Sequence, residues 1–150
     1  MGKVIPYGRQ EITSTDLNTL MEVMQSDLLT QGPVVPRFEA KLAEITFSKY
    51  ATAVNSATSA LHIACLALEV KEGDWVWTVP NTFVASANCA LYCGAKIDFV
   101  DIDPLTFNMS IELLTEKLAY AEKMGVLPKV IIPVHLAGEP CDMFAIKALS

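Results

Sequence analysis

Trp75-Val76-Trp77-Thr78-Val79-Pro80-Asn81-Thr82-Phe83-Val84-Ala85-Ser86-Ala87-Asn88-Cys89-Ala90-Leu91 is the stretch on which the fold turns. Five residues of high β propensity lead to Pro80, and Val84, Ala87 and Leu91 then recur at helical spacing. The stretch therefore reads as a strand running straight into a helix. The same pattern lies on either side of it. Upstream, Ala51-Thr52-Ala53-Val54 reads as a strand, followed by Leu61, Ala64, Cys65 and Leu68 on one helical face. Downstream, Ile97-Asp98-Phe99-Val100 precedes a helix marked by Ile111, Leu114, Leu118 and Ala121, and Val130-Ile131-Ile132-Pro133-Val134 reads as a fourth strand. Gly73, Pro80, Gly94, Pro104 and Pro128 fall between these elements, where the chain must turn. The alternation predicts an α/β fold, a mostly parallel sheet flanked by helices on both faces.

Two further helical patterns precede the array. One carries Leu17, Leu20, Met21 and Met24 behind a Ser/Thr/Asp start, and the other carries Phe38, Leu42 and Ile45 after Pro36. Asp27-Leu28-Leu29-Thr30-Gln31-Gly32-Pro33 joins them and reads as a turn between helices. Ile5-Pro6-Tyr7-Gly8-Arg9-Gln10 reads as an extended arm. The expected organisation is an arm and helix over residues 1–32, then the first part of a larger domain over residues 33–150. Ile146-Lys147-Ala148-Leu149-Ser150 lies within a helical pattern without a capping glycine, so the chain reads as the N-terminal part of a longer protein.

The composition narrows the function classes. Apolar residues make up 52% of the 150, enough to bury a core, and charged ones only 19%. Eleven Lys and Arg against seventeen Asp and Glu give a net charge of −6 with no basic cluster, which argues against nucleic acid and anionic lipid and for a small-molecule partner. Met1 to Gln10 lacks the apolar core of a signal peptide, and no apolar run approaches the roughly 20 residues of a membrane span. A cytoplasmic location is expected. Cys65, Cys89, Cys93 and Cys141 sit in apolar segments without a CxxC pair and read as reduced core thiols.

In a parallel α/β sheet, ligands gather beyond the carboxyl ends of the strands, where each following helix offers unpaired N–H groups and the positive end of its dipole. Asn55-Ser56-Ala57-Thr58-Ser59 takes that place after the first expected strand. Its small residues let a phosphate approach the backbone, and Ser56, Thr58 and Ser59 offer hydroxyls. The same residues also make an ordinary helix cap. Phe83 stands at the start of the next helix, either as a core residue or as a platform for a planar ring. Asp98, Asp101 and Asp103 cluster without a His or Glu to complete a metal set, and Pro104 points to a turn; no metal is expected. His135 ends the fourth strand, as a structural histidine or one that approaches the site. His62 reads as a core or interface residue, and Trp75 and Trp77 as packing residues.

Taken in order, Tyr7-Gly8-Arg9-Gln10, Leu29-Thr30-Gln31-Gly32-Pro33, Asn55-Ser56-Ala57-Thr58-Ser59-Ala60-Leu61, Thr82-Phe83-Val84-Ala85-Ser86-Ala87-Asn88 and Val100-Asp101-Ile102-Asp103-Pro104 resemble the sugar aminotransferases that act on nucleotide-linked keto sugars. The resemblance implies the N-terminal part of the large domain of a fold-type I aminotransferase, with pyridoxal 5'-phosphate as cofactor and a homodimer as the complete enzyme. It implies that Ala57 and Thr58 hold the cofactor phosphate, that Phe83 stacks on its ring, and that Tyr7, Asp27, Leu28, Leu29 and Thr30 contact the sugar. The implied partners are a UDP-sugar and L-glutamate. The implied reaction carries the amino group to C4 of a UDP-linked 4-keto-6-deoxy-N-acetylhexosamine, in pseudaminic acid synthesis. None of the nine lysines lies in the family's Schiff-base context, so the catalytic lysine is expected beyond Ser150. A related aminotransferase, a dehydratase with histidine in place of that lysine, and an inactive binding module are the alternative readings.

Overall fold

The computed structural model describes residues 8–150. Its contacts divide into two compact units, one ending at Ala53 and one spanning Val54–Ser150.

The first unit holds helices α1 (Ser14–Met24) and α2 (Val34–Thr46). The expected polar start of α1 is a capping box: Thr13 Oγ1 accepts from the Asp16 N–H, and the Asp16 carboxylate accepts from the Thr13 N–H at 2.8 Å. Those hydrogen bonds hold the Asp16 carboxyl below the usual carboxylate range. Neither helix contains a buried residue, and Leu17, Leu20, Met21, Phe38, Leu42 and Ile45 are all exposed.

The second unit is the α/β array. Helix α3 (Ala57–Ala67), strand β1 (Trp75–Thr78), helix α4 (Ala85–Tyr92), strand β2 (Lys96–Phe99), helix α5 (Ile111–Met124), strand β3 (Val130–Ile131) and helix α6 (Met143–Leu149) follow in order. The sheet order is β2-β1-β3, with both pairings parallel. Side chains on β1 alternate between two cores. Val76 joins Cys65, Cys89, Ala90 and Ala95 under α3 and α4, whereas Trp77 joins Val100, Met109, Leu114, Ala121 and Ile146 under α5 and α6. Connections α4 and α5 lead in opposite directions across the sheet. With right-handed crossovers they must cover opposite faces, and the two cores agree with this. Gly125, at φ +68, closes α5 in the left-handed conformation that costs glycine least.

Two strand expectations need correction. Residues 51–54 are not a strand. Among the described residues β2 and β3 occupy both edges of β1, and the Ala53 N–H donates instead to the Glu39 carboxylate at 2.8 Å. The fourth expected strand is reduced to Val130–Ile131, followed by one more bond from the Ile132 N–H to Trp77 O. Pro133 has no N–H with which to extend the ladder. All four cysteines are free thiols, three of them buried. Burial, with the Cys89 thiol as neighbour, pushes Cys65 up to about 11.

Candidate functional site

The order of the strands reverses about β1. The chain leaving β1 turns to α4 on one face, and the chain leaving β3 reaches α6 on the other. Such a switch point opens a crevice at the carboxyl ends of the two strands. Its mouth is pinned by Thr78, fully buried, whose Oγ1 donates to Ile132 O at 2.9 Å. Helix α3 packs against the sheet and turns through residues 68–74 directly into β1. It therefore runs antiparallel to that strand, and its first turn lies toward the same carboxyl edge.

That first turn is closed by its own side chains. The Ser59 N–H donates to Ser56 Oγ at 3.2 Å, Ser59 Oγ donates to Asn55 Oδ1 at 2.8 Å, and the two serine hydroxyls lie 3.0 Å apart. The Ala60 N–H is taken by Ser56 O. The N–H groups of Ala57 and Thr58 remain without a partner among the described residues. Two adjacent donors at the positive end of a helix suit an anion such as phosphate. The hydroxyls of Ser56 and Ser59 are engaged in the cap, which leaves the two N–H groups and the Thr58 hydroxyl as the donors here.

Phe83 is not a core residue: 75% of its surface is exposed at the start of α4. This start lacks a side-chain cap from Val84; Thr82 and Ser86 instead share a hydroxyl contact of 3.1 Å. An aromatic ring left open at the carboxyl edge is available to cover a planar ligand. Both residue types that the resemblance assigns to a cofactor thus belong to the sheet unit, and the chemistry of each fits: donors for a phosphate, a free face for a ring.

The other sequence candidates make contacts of their own within the sheet unit. Burial alone would raise the Asp98 carboxyl, yet the bond from Lys117 at 2.7 Å, the Phe99 N–H and the lysine's charge outweigh it and hold it low. Asp103 is held low by the N–H groups of Thr106 and Leu105, which its Oδ1 accepts at 2.8 and 2.9 Å. Asp101 accepts from the Ile102 N–H. His135 Nδ1 accepts from the Cys141 N–H at 3.0 Å, so its neutral tautomer carries the proton on Nε2. His62 stands edge-on to Tyr92, with ring centres 5.4 Å apart. Trp77 is buried, and Lys96 and Lys117 lie over the rings of Trp75 and Trp77.

Asp27, Leu28, Leu29 and Thr30 belong to the first unit, in the link between α1 and α2, and Leu28 and Leu29 are exposed. The link turns through Gln31 at φ +53. A Cβ on Gly32 would lie 2.9 Å from Leu28 O, so this position requires glycine. Tyr7 lies outside the described residues. Sequence reading missed Asn81 and Asn108, whose amides bond to carbonyls 26 and 31 residues away. No local pattern marks them; only an Asn within an apolar or turn segment hints at such a role.

Residues 10–150 match the family profile described as the DegT/DnrJ/EryC1/StrS aminotransferase family. The chain is 37% identical to GDP-perosamine synthase of Escherichia coli O157:H7 over 149 residues, 99% of this chain and 39% of that protein. A protein from Streptococcus pneumoniae described as a sugar aminotransferase, solved in PLP and PMP forms, superimposes with a TM-score of 0.83 at 31% identity, over 97% of this chain. A DegT DnrJ EryC1 StrS aminotransferase from Brucella abortus gives a TM-score of 0.82 at 32% identity, over 89% of this chain and 36% of its own. The α/β fold expected from the resemblance is the one these solved aminotransferases have. The chain spans 34–39% of the length of the curated relatives it matches.

Proposed function

The chain belongs to the DegT/DnrJ/EryC1/StrS aminotransferase family, and on that premise we propose that it forms the amino-terminal part of a pyridoxal-phosphate-dependent sugar aminotransferase. The observation that carries this reading is the pair of free N–H groups on Ala57 and Thr58, toward the same sheet edge as the exposed Phe83. Ala57 and Thr58 receive the cofactor phosphate, and Phe83 covers one face of its ring and keeps water from it. Asp27 to Thr30, with Tyr7, contribute to holding the sugar. Bound pyridoxal phosphate supplies the electron sink through which an amino group leaves L-glutamate and is passed to a keto sugar. The sugar in this reading is a UDP-linked 4-keto-6-deoxy-N-acetylhexosamine aminated at C4, as by UDP-4-amino-4,6-dideoxy-N-acetyl-β-L-altrosamine transaminase in pseudaminic acid synthesis. The complete enzyme is proposed as a cytoplasmic homodimer; no described helix is long and apolar enough to cross a membrane.

Likeness to GDP-perosamine synthase favours a second reading of the substrate, a GDP-linked keto sugar. Offering the full-length enzyme L-glutamate with UDP- or GDP-linked 4-keto sugars, and weighing the products by mass spectrometry, separates the two. Amination of neither sugar overturns both readings. The phosphate site has its own test. Ala57→Pro suits the first helical position, because Ser56 before it is already extended at φ −160, ψ 155. It removes one N–H, so pyridoxal phosphate affinity falls at least about tenfold, as for losing a bond to a charged group, with melting unchanged. Undiminished affinity would overturn the assignment.

A further inference from the structure

The stretch that carries Phe83 is held from afar by a single side chain. Among the described hydrogen bonds of residues 79–84, only one leaves the neighbourhood, from Asn81 Nδ2 to Phe107 O at 2.9 Å. Phe107 sits at φ +60, a left-handed conformation that a residue with a Cβ adopts at a cost. It is kept there by the turn after β2. The Phe107 N–H donates to Asp103 O at 2.8 Å, the Asp103 N–H donates to Asn108 O at 2.9 Å, and Asp103 Oδ1 gathers the N–H groups of Leu105 and Thr106. Asn108 is buried and ties the same turn to the chain beyond β3. Its Nδ2 donates to Glu139 O at 3.0 Å and its Oδ1 accepts from the Leu136 N–H at 3.1 Å. One turn is thus bonded to the loop after β1 through Asn81 and to the loop after β3 through Asn108.

Asn81 Oδ1 is buried without a partner among the described residues. A buried amide that leaves its acceptor unpaired is a net cost, which an apolar side chain of similar size would avoid. The amide's worth at this place therefore lies in its donor.

We infer that Asn81 and Asn108 are positioning residues for the proposed cofactor site: through the turn at residues 103–108 they brace both carboxyl-edge loops, and Asn81 sets the tilt of Phe83. The inference rests on the cofactor reading above and adds two residues that touch no ligand. Asn81→Asp makes it testable through pH. At pH 8 the ionised carboxylate cannot donate to Phe107 O and repels it; once protonated, the acid donates again.

The test measures hydrogen exchange of residues 103–109 and the visible circular dichroism per bound pyridoxal phosphate, in the full-length enzyme with Asn81→Asp, Asn81→Leu and the unaltered protein. In Asn81→Asp at pH 8, exchange rises about tenfold, the effect of losing one hydrogen bond, and the dichroic signal falls. Both return toward the unaltered protein's values at the same acid pH. In Asn81→Leu they stay altered at every pH. Unchanged exchange and dichroism in both variants would overturn the inference, as would an Asp variant that acid fails to restore. If the unaltered protein binds no cofactor, the proposed function falls, while the exchange measurements still judge the brace.

Discussion

The two units of this chain use similar helices to opposite effect. Helix α1 has a capping box and an apolar stripe, as good a start as α5 with its Ser110 cap, yet α1 buries nothing while α5 buries Leu114 and Ala121. The difference is the sheet. In the second unit each apolar stripe meets one face of β1 and its neighbours, whereas in the first neither helix has a buried residue. An amphipathic pattern is enough to specify a helix. It does not specify what the helix will lie against.

The largest effect expected from this contrast is at Leu114, which has no exposed surface. Leu114→Ala should lower unfolding free energy by about 2–5 kcal/mol in urea titrations, the range for a buried leucine truncated in a packed core. A loss as small as that of a surface change would mean that the second unit is not the stable part. Next comes the cap of α1. Thr13→Ala should cost about 1 kcal/mol, seen as loss of helical circular dichroism, with the sheet unit's unfolding unaffected.

Acid should weaken both units, the second more. Asp16 in the first unit and Asp74, Asp98 and Asp103 in the second all have carboxyls held below the ordinary range, Asp74 chiefly by the Lys71 N–H, which its Oδ2 accepts at 3.0 Å. A depressed native value contributes stability that is present above the unfolded value near 3.9 and is lost as pH falls through the native one. Urea midpoints should therefore drop between about pH 5 and pH 2. Asp98→Asn should flatten part of that slope, because it removes the partner of Lys117. The smallest effect belongs to Leu20, more than half exposed. Leu20→Ser should stay within about 0.5 kcal/mol, as surface substitutions usually do. A loss comparable with that of Leu114→Ala would show that α1 gains a covering surface in solution, and the contrast between the units would collapse.

Local chemistry made much of the fold legible. The cap within Asn55 to Ser59, the breaks at Gly73 and Gly94 and the strand that starts at Trp75 depend on neighbours a few residues away, so spacing and residue type reveal them. Residues 51–54 misled for a physical reason. Four small and β-branched residues satisfy the preferences of a strand, but a strand also needs a partner to pair with, and none of the described strands pairs with them. Phe83 and Leu114 show the same limit from the side of burial. Each is a large apolar residue in or beside a helix, yet one is open to solvent and the other fully enclosed. Nothing within a few residues of either tells them apart.

The candidate site divides along this line. The sequence by itself determined that a helix starts after Asn55 with small, hydroxyl-bearing residues, and that an aromatic begins the next helix, because caps and turns are short-range chemistry. The same short-range chemistry commits the hydroxyls of Ser56 and Ser59 to each other and to Asn55, leaving the N–H groups of Ala57 and Thr58 free. Only the tertiary structure decided that Phe83 is exposed and that Asn81 and Asn108 reach across 26 and 31 residues to brace its surroundings. Whether such an amide is spent or free depends on partners that only the packed chain brings within 3 Å.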